Sequence, residues 1–295
     1  MSFDLYLKSK IENSNLVRSE IIAKLNLYHE EFFNLDAITL SRWINKKTTP
    51  SMYKQLLIAK FFHDDILTFL STEAVFKDSP KYILDLYEKI INNIEKSYNN
   101  VNYFASCQND PEYLILNINR KEYFEYLKSF YDNYRLYREM HYELKADIKN
   151  IYIYKNINGY PLSHMLISYM NEEFKCFLTN TFSTNISNKL RHIVNLSYIT
   201  DYDSYTFMKS LIYFFFIKKD ISNFLCIIRE EFYELLLNLN FKQIGKTYID
   251  DKTKIYLLEG DLLKILSNPI NSNELLYHLD KSNVKEIINN IDCND

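Results

Sequence analysis

Over its first hundred residues the chain repeats apolar residues at three- and four-residue steps, the spacing that lines one face of an α-helix. Leu40, Trp43 and Ile44 fall at i, i+3 and i+4, so a short helix is predicted with this stripe packed inward and Thr39, Ser41, Arg42 and Asn45 facing out. Asp36 stands where a helix cap belongs. Lys46, Lys47, Thr48 and Thr49 follow as a basic turn, and Pro50 with Ser51 restarts the chain into a helix carrying Leu56, Leu57, Ala59 and Phe61. Upstream, Ile21, Ile22 and Leu25 mark the buried side of another helix. Ile83, Leu84, Tyr87, Ile90, Ile91 and Ile94 predict one more over about 80–98.

Periodicity then stops. Residues 98–110, with an Asn-Asn pair and a Gln-Asn-Asp-Pro end, are rich in loop formers and predict a domain boundary. Beyond it the pattern mixes periods of two and of 3.6. Strands are predicted at 113–119, 148–154, 175–179, 193–200 and 223–228, and helices at 121–144, 206–218 and 229–238. Residues 241–259 read as a hairpin turning at Asp250, Asp251 and Lys252. The predicted fold class is α+β, an all-helical N-terminal domain followed by a mixed α/β domain. The expected division is 1–70, a helical connector at 71–100, the α/β domain at 101–265 and a helical tail at 266–295.

Composition narrows the partners. The 295 residues are 47% hydrophobic, enough to bury substantial cores. The formal net charge is −3, so any nucleic-acid site has to be local. Residues 1–70 carry nine Lys or Arg against eight Asp or Glu, and the useful positive charge is the Arg42, Lys46, Lys47 and Lys54 cluster. Cys107, Cys176, Cys226 and Cys293 form no C-x-x-C pair, so neither a zinc site nor a disulfide framework is indicated. The start carries no basic region followed by an apolar core, and the longest apolar run, 211–217, is too short to span a bilayer. The expectation is a cytoplasmic protein without a metal or cofactor.

The ordered string Ser-Arg-Trp, basic turn, Thr-Thr-Pro-Ser and aliphatic helix resembles the Cro/repressor-like (XRE) helix-turn-helix family over residues 5–70. Residues 18–25 are similar to the first helix of that motif. The resemblance implies double-stranded DNA as partner, with Thr39, Ser41, Arg42 and Asn45 at base edges and Lys46, Lys47 and Thr48 on phosphates. A patch this small implies a homodimer reading two half-sites. Two features depart from the family. Residues 28–35 look like an insertion between the two motif helices, and Ala37 and Ile38 stand where base-reading polar residues are usual.

The strand, helix, strand, helix, hairpin order over 193–259 resembles the second half of the GCN5-related N-acetyltransferase (GNAT) fold, most clearly at Leu239-Asn240-Phe241-Lys242-Gln243-Ile244-Gly245. That family cradles the acetyl-CoA pyrophosphate on a Gly-rich loop at a helix N-terminus. The matching loop here, 200–205, has no glycine and two carboxylates. The family's acid, a Tyr five residues before the hairpin Phe, corresponds to Leu236, and Tyr233 lies one helical turn away. These departures imply a degenerate domain that senses a small-molecule ligand or joins subunits, with no catalytic residue.

Other groups carry less. His141, His164 and His192 match no ligand spacing. Tyr123, Tyr126, Phe130, Tyr131, Tyr134 and Tyr137 form an aromatic stripe that reads as core or interface more readily than as a base-stacking surface. The leading expectation is a non-enzymatic, DNA-binding transcriptional regulator. The alternatives are an N-acyltransferase fused to a DNA-binding domain, and a non-enzymatic module that binds a protein partner.

Overall fold

A computed structural model of the chain describes residues 2–72, 74, 80–99, 112–118, 121–122, 134–144, 150–157, 160–199, 201–251 and 253–281. Cys107, Cys293, the stripe residues Tyr123, Tyr126, Phe130 and Tyr131, Thr200, the turn residue Lys252, the boundary segment 100–110 and the acidic tail lie outside them, as do parts of the expected 121–144 helix and 148–154 strand. The architecture is α+β. The chain divides into two compact units, Met1–Ser79 with Leu266–Leu276, and Pro80–Ile265 with Tyr277–Asp295.

The first unit is helical: α1 (Phe3–Asn13), α2 (Arg18–Tyr28), α3 (Ala37–Ile44), α4 (Met52–Phe61) and α5 (Ile66–Thr72). Phe3, Leu7, Ile21, Leu25, Phe32, Leu40, Leu56, Ile58 and Phe69 are buried in it. Asp36 accepts from the Thr39 amide at 2.7 Å and so starts α3, and Ser51 caps α4 in the same way. Between α2 and α3 the chain makes a 3₁₀ turn, Glu30–Phe32, which buries Phe32 and Leu35. The connection 29–36 is therefore a packed segment, longer than the three- to four-residue turn of a helix-turn-helix.

The second unit is built on a seven-stranded sheet. In chain order it contains α6 (Lys81–Asn99), β1 (Glu112–Ile118), α7 (Arg135–Glu143), β2 (Asn150–Ile157), β3 (Tyr160–Tyr169), α8 (Glu172–Phe182) and β4 (His192–Tyr198). There follow α9 (Tyr202–Lys218), β5 (Asn223–Arg229), α10 (Glu230–Asn238), β6 (Phe241–Asp250) and β7 (Thr253–Asp261), and α11 (Leu262–Leu266) and α12 (Pro269–Lys281) close the described chain. The sheet order is β1-β2-β3-β4-β5-β7-β6. Every neighbouring pair is antiparallel except β4 with β5.

Strand alternation assigns the two faces. Ile193, Leu225, Ile227, Ile255 and Leu257 point to one face and form a core with Leu136, Tyr137 and Met140 of α7 and Phe174, Phe177, Leu178 and Phe182 of α8. Their strand neighbours point the other way. Phe224 meets Phe216 of α9 at 4.6 Å between ring centroids, and Tyr256 stacks on Tyr233 of α10 at 3.9 Å. Helix α9 is buried on all sides from Ser204 to Phe216, as expected of a helix apolar around its circumference.

Two sequence expectations change. Residues 175–179 are helix rather than strand. Asn171 accepts from the Phe174 amide at 2.8 Å, and Phe174, Phe177, Leu178 and Phe182 then share one buried face at helical spacing, a pattern that a short apolar run hides. Strand β3 is absent from the sequence expectations; its Pro161 stands near the strand start, where proline is compatible with a sheet.

Glycine is required where β6 bends. Gly245 has φ +69°, and a Cβ there would press on the Phe182 carbonyl and on Thr184, at the irregularity between Ile244 and Tyr248. Gly245→Ala is expected to cost about 2 kcal/mol or more and to lower the thermal midpoint by several degrees, measured by circular dichroism. An unchanged midpoint would show that the bend tolerates a side chain.

Candidate active site between β4 and β5

The parallel strands β4 and β5 pair at two positions only, Ile193 with Leu225 and Val194 with Cys226. The next residue, Asn195, is the extra one of a bulge against β3, since Leu196 pairs with Leu166 while Val194 pairs with Ile167. A bulge bends and twists its strand, and β4 leaves β5 from that residue on. Residues 196–198 and 227–229 thus have no ladder partner across the opening. This is the carboxyl end of adjacent parallel strands, where ligands of open α/β sheets collect. The N-termini of α9 and α10, which follow β4 and β5 directly, lie at the same end.

Polar groups are concentrated where the strands separate. The Tyr137 hydroxyl donates to the Asn195 carbonyl at 2.6 Å. The Asn195 side chain donates through Nδ2 to Ser168 Oγ at 2.7 Å, while its Oδ1 is buried with no hydrogen-bond partner among the described residues. Asn195 is 2% exposed. Burial holds the Tyr137 hydroxyl far above its ordinary range, with Cys226 and Tyr134 adding to the effect. Burial also pushes the Cys226 thiol up to about 12. Both groups therefore keep their protons at neutral pH.

Helix α7 is held by the end of β6. Asp250 accepts from the Leu136 amide at 3.0 Å, Arg135 Nε donates to the Tyr248 hydroxyl at 2.9 Å, and Tyr248 in turn donates to Glu139. Arg229, at the end of β5, donates to the Tyr134 hydroxyl at 3.1 Å and to Glu231 at 2.9 Å. These contacts fix the helix that delivers Tyr137 to the opening.

The features tied to the acetyltransferase resemblance sit nearby. Asp201 accepts from the Ser204 amide at 2.9 Å and from the Ser204 hydroxyl with both oxygens. The first turn of α9 thus has a carboxylate cap where a pyrophosphate cradle would need free amides. Leu236 is buried. Tyr233 donates to Gln243 at 2.6 Å and stacks on Tyr256, so it belongs to the packing of α10.

No protein-family model matches the chain, and no curated protein matches it in sequence. Among solved structures it is similar to the CoA-dependent acyl-homoserine lactone synthase BjaI, described with SAM and isopentyl-CoA, at 10% identity and TM-score 0.40, over 59% of this chain and 91% of that one. It is also similar to the CoA-dependent acyl-homoserine lactone synthase MesI, at 9% identity and TM-score 0.36, over 55% of this chain and 95% of that one.

Both neighbours are enzymes. On that finding three expectations are corrected: the DNA-binding transcriptional regulator, the absence of enzymatic activity, and the double-stranded DNA partner. The physical reason lies in what the suggestive residues do. Asn45 donates to the Ser41 carbonyl at 2.9 Å and to Ser41 Oγ at 3.2 Å. Lys46 takes φ 57°, and the Lys47 and Thr48 amides donate to the Arg42 carbonyl at 2.8 and 3.3 Å. The basic turn is thus the left-handed C-terminal closure of α3. Thr39 and Ser41 are half-buried, while Arg42, Lys46, Lys47 and Thr48 are exposed.

Sequence reasoning missed Asn195 and the role of Tyr137. The available signal was a polar residue inside the apolar run Ile193-Val194-Asn195-Leu196. Tyr137 was seen only as part of an aromatic stripe. The histidines are not brought together. His164 lies among the rings of Tyr152 and Tyr198, His192 beside Tyr169 and Phe216, and the His141 side chain is outside the described atoms. No helix among the described residues is long and apolar enough to cross a membrane.

Burial takes the His164 pKa from its ordinary 6.5 down to about 3. The unfolded chain binds a proton below 6.5 that the folded chain refuses, so stability from this group is complete above that pH and is lost as pH falls. The slope reaches about 1.4 kcal/mol per pH unit. Denaturant melts between about pH 7 and 5 should show a shallower loss for His164→Gln than for the parent. Equal slopes would mean that His164 does not set this dependence.

Proposed function

We propose that the second unit is an N-acyltransferase that takes its acyl group from a thioester bound in the β4–β5 opening. The observation that carries this reading is the parallel pair that zips for two residues and then parts at a bulge. Such an opening offers main-chain donors and acceptors on both sides to an extended, amide-containing arm, and it holds the arm's far end between two strands that a seven-stranded sheet keeps rigid. Carbonyl polarisation by fixed dipoles in a dry site is the usual source of acyl-transfer catalysis.

The surrounding residues narrow the mechanism. Cys226 is the thiol at the opening, and burial keeps it protonated. A cysteine nucleophile requires the thiolate, so the amine attacks the thioester carbonyl directly and the leaving thiol departs without an acyl-enzyme. The carboxylate cap at the start of α9 supports recognition of the thioester arm itself rather than of a pyrophosphate at that helix.

Calorimetric titration of the full chain with acetyl-CoA and with S-acetyl-N-acetylcysteamine, which lacks the pyrophosphate, tests the reading. Saturable binding of the truncated thioester is expected, together with amide formation on added primary amines followed by mass spectrometry. Cys226→Phe should fill the opening and abolish both while the far-ultraviolet spectrum is retained. Absence of binding by either thioester to the folded parent would overturn the proposal.

A further inference from the structure

Asn195 combines three facts that packing alone does not call for. It is the extra residue of the β4 bulge, one step past the last β4–β5 rung. Its carbonyl is satisfied by a side chain from another element, the Tyr137 hydroxyl at 2.6 Å. Its amide is oriented by Ser168 through Nδ2, which leaves Oδ1 buried and without a hydrogen-bond partner among the described residues. A buried acceptor of this kind costs free energy in proportion to its lost hydration, and such groups persist where something else supplies the missing donor.

We infer that Asn195 is a recognition residue for an N–H group of the molecule bound in the β4–β5 opening, and that the Tyr137 hydroxyl is the stand-in donor which this N–H displaces. This inference rests on the acyl-transfer reading and deepens it. With Tyr137 moved aside, the main-chain carbonyl and Oδ1 of one residue become two acceptors at the closed end of the opening. Two neutral acceptors beside a protonated thiol select a neutral N–H donor, either the amide of the thioester's arm or the attacking amine. Tyr137 is the group already seated on the Asn195 carbonyl, so an N–H that reaches that carbonyl takes its place.

The inference gives opposite signs for two substitutions. In Tyr137→Phe the Asn195 carbonyl is unpaired before binding, so the free chain loses stability and the ligand gains what it no longer has to displace. In Asn195→Leu the carbonyl remains but the side-chain acceptor is gone, so binding weakens. Each effect is expected to be roughly threefold to tenfold in Kd. A purely structural role would move both variants the same way.

The experiment is calorimetry on the full chain with S-octanoyl-N-acetylcysteamine, alongside the oxygen-ester analogue in which its amide N–H is replaced. Tighter binding by Tyr137→Phe, and weaker binding by Asn195→Leu that vanishes with the ester analogue, assign the N–H to the thioester arm. An unchanged Kd in Asn195→Leu with a raised KM for n-butylamine in acyl transfer assigns it to the attacking amine. Thermal midpoints and circular dichroism confirm that each variant folds, with Asn195→Ala replacing the leucine variant should that one not fold. Shifts in the same direction, or no shift in either property, overturn the inference while leaving the acyl-transfer reading intact. Failure of the parent to bind either probe overturns both.

Discussion

Backbone hydrogen bonding across a sheet leaves few ways to make an opening in its middle, and this fold uses one of them. Strands β4 and β5 are the only parallel neighbours among the described strands, and parallel rungs are slanted and slightly weaker than antiparallel ones. A single extra residue at Asn195 is enough to end their pairing after two rungs. The neighbours on either side, β3 and β7, remain fully antiparallel and hold the two halves of the sheet in place. The freed main-chain groups then need partners, and one of them, the Asn195 carbonyl, finds the Tyr137 hydroxyl.

Everything that delivers Tyr137 follows from that need. Helix α7 is short, so its own hydrogen bonds hold it weakly. It is fixed instead by Asp250 at its start and by the Arg135, Tyr248 and Glu139 chain along its exposed side. Its apolar side joins the core that α8 shares with the sheet. Gly245 lies at the irregularity of β6 that precedes Tyr248 and Asp250, the two residues of that strand that hold the helix. The opposite face is closed by α9, which is buried from Ser204 to Phe216 and whose first turn is capped by its own Asp201.

The resemblances read from the sequence differed in what they rested on. The Leu239 to Gly245 string marks the step from α10 into a hairpin, and that local geometry is set by the residues themselves. Within that string's surroundings Leu236 is buried, and Tyr233 bonds Gln243 and stacks on Tyr256. The Ser-Arg-Trp string rested on the chemistry of exposed side chains. Exposed polar residues on a short helix satisfy solvent and helix termini as readily as a nucleic acid, and here the Asn45 side chain and the backbone amides of Lys46, Lys47 and Thr48 close the end of α3.

By itself the sequence determined α2, α3 and α4, the core stripes of α3 and α4, the cap at Asp36, and the β5, α10, hairpin order, because each depends on neighbours within a few residues along the chain. It could not determine that residues 175–179 form a helix, that 160–169 form a strand, or that Tyr137, Ser168, Asn195 and Cys226 meet. Short apolar runs suit either conformation until they are packed. The meeting of residues separated by dozens of positions depends on sheet order and on one unpaired residue, and neither leaves a periodic trace in the chain. Tertiary structure decided the site because hydrogen bonds that β4 cannot make with β5 had to be made elsewhere.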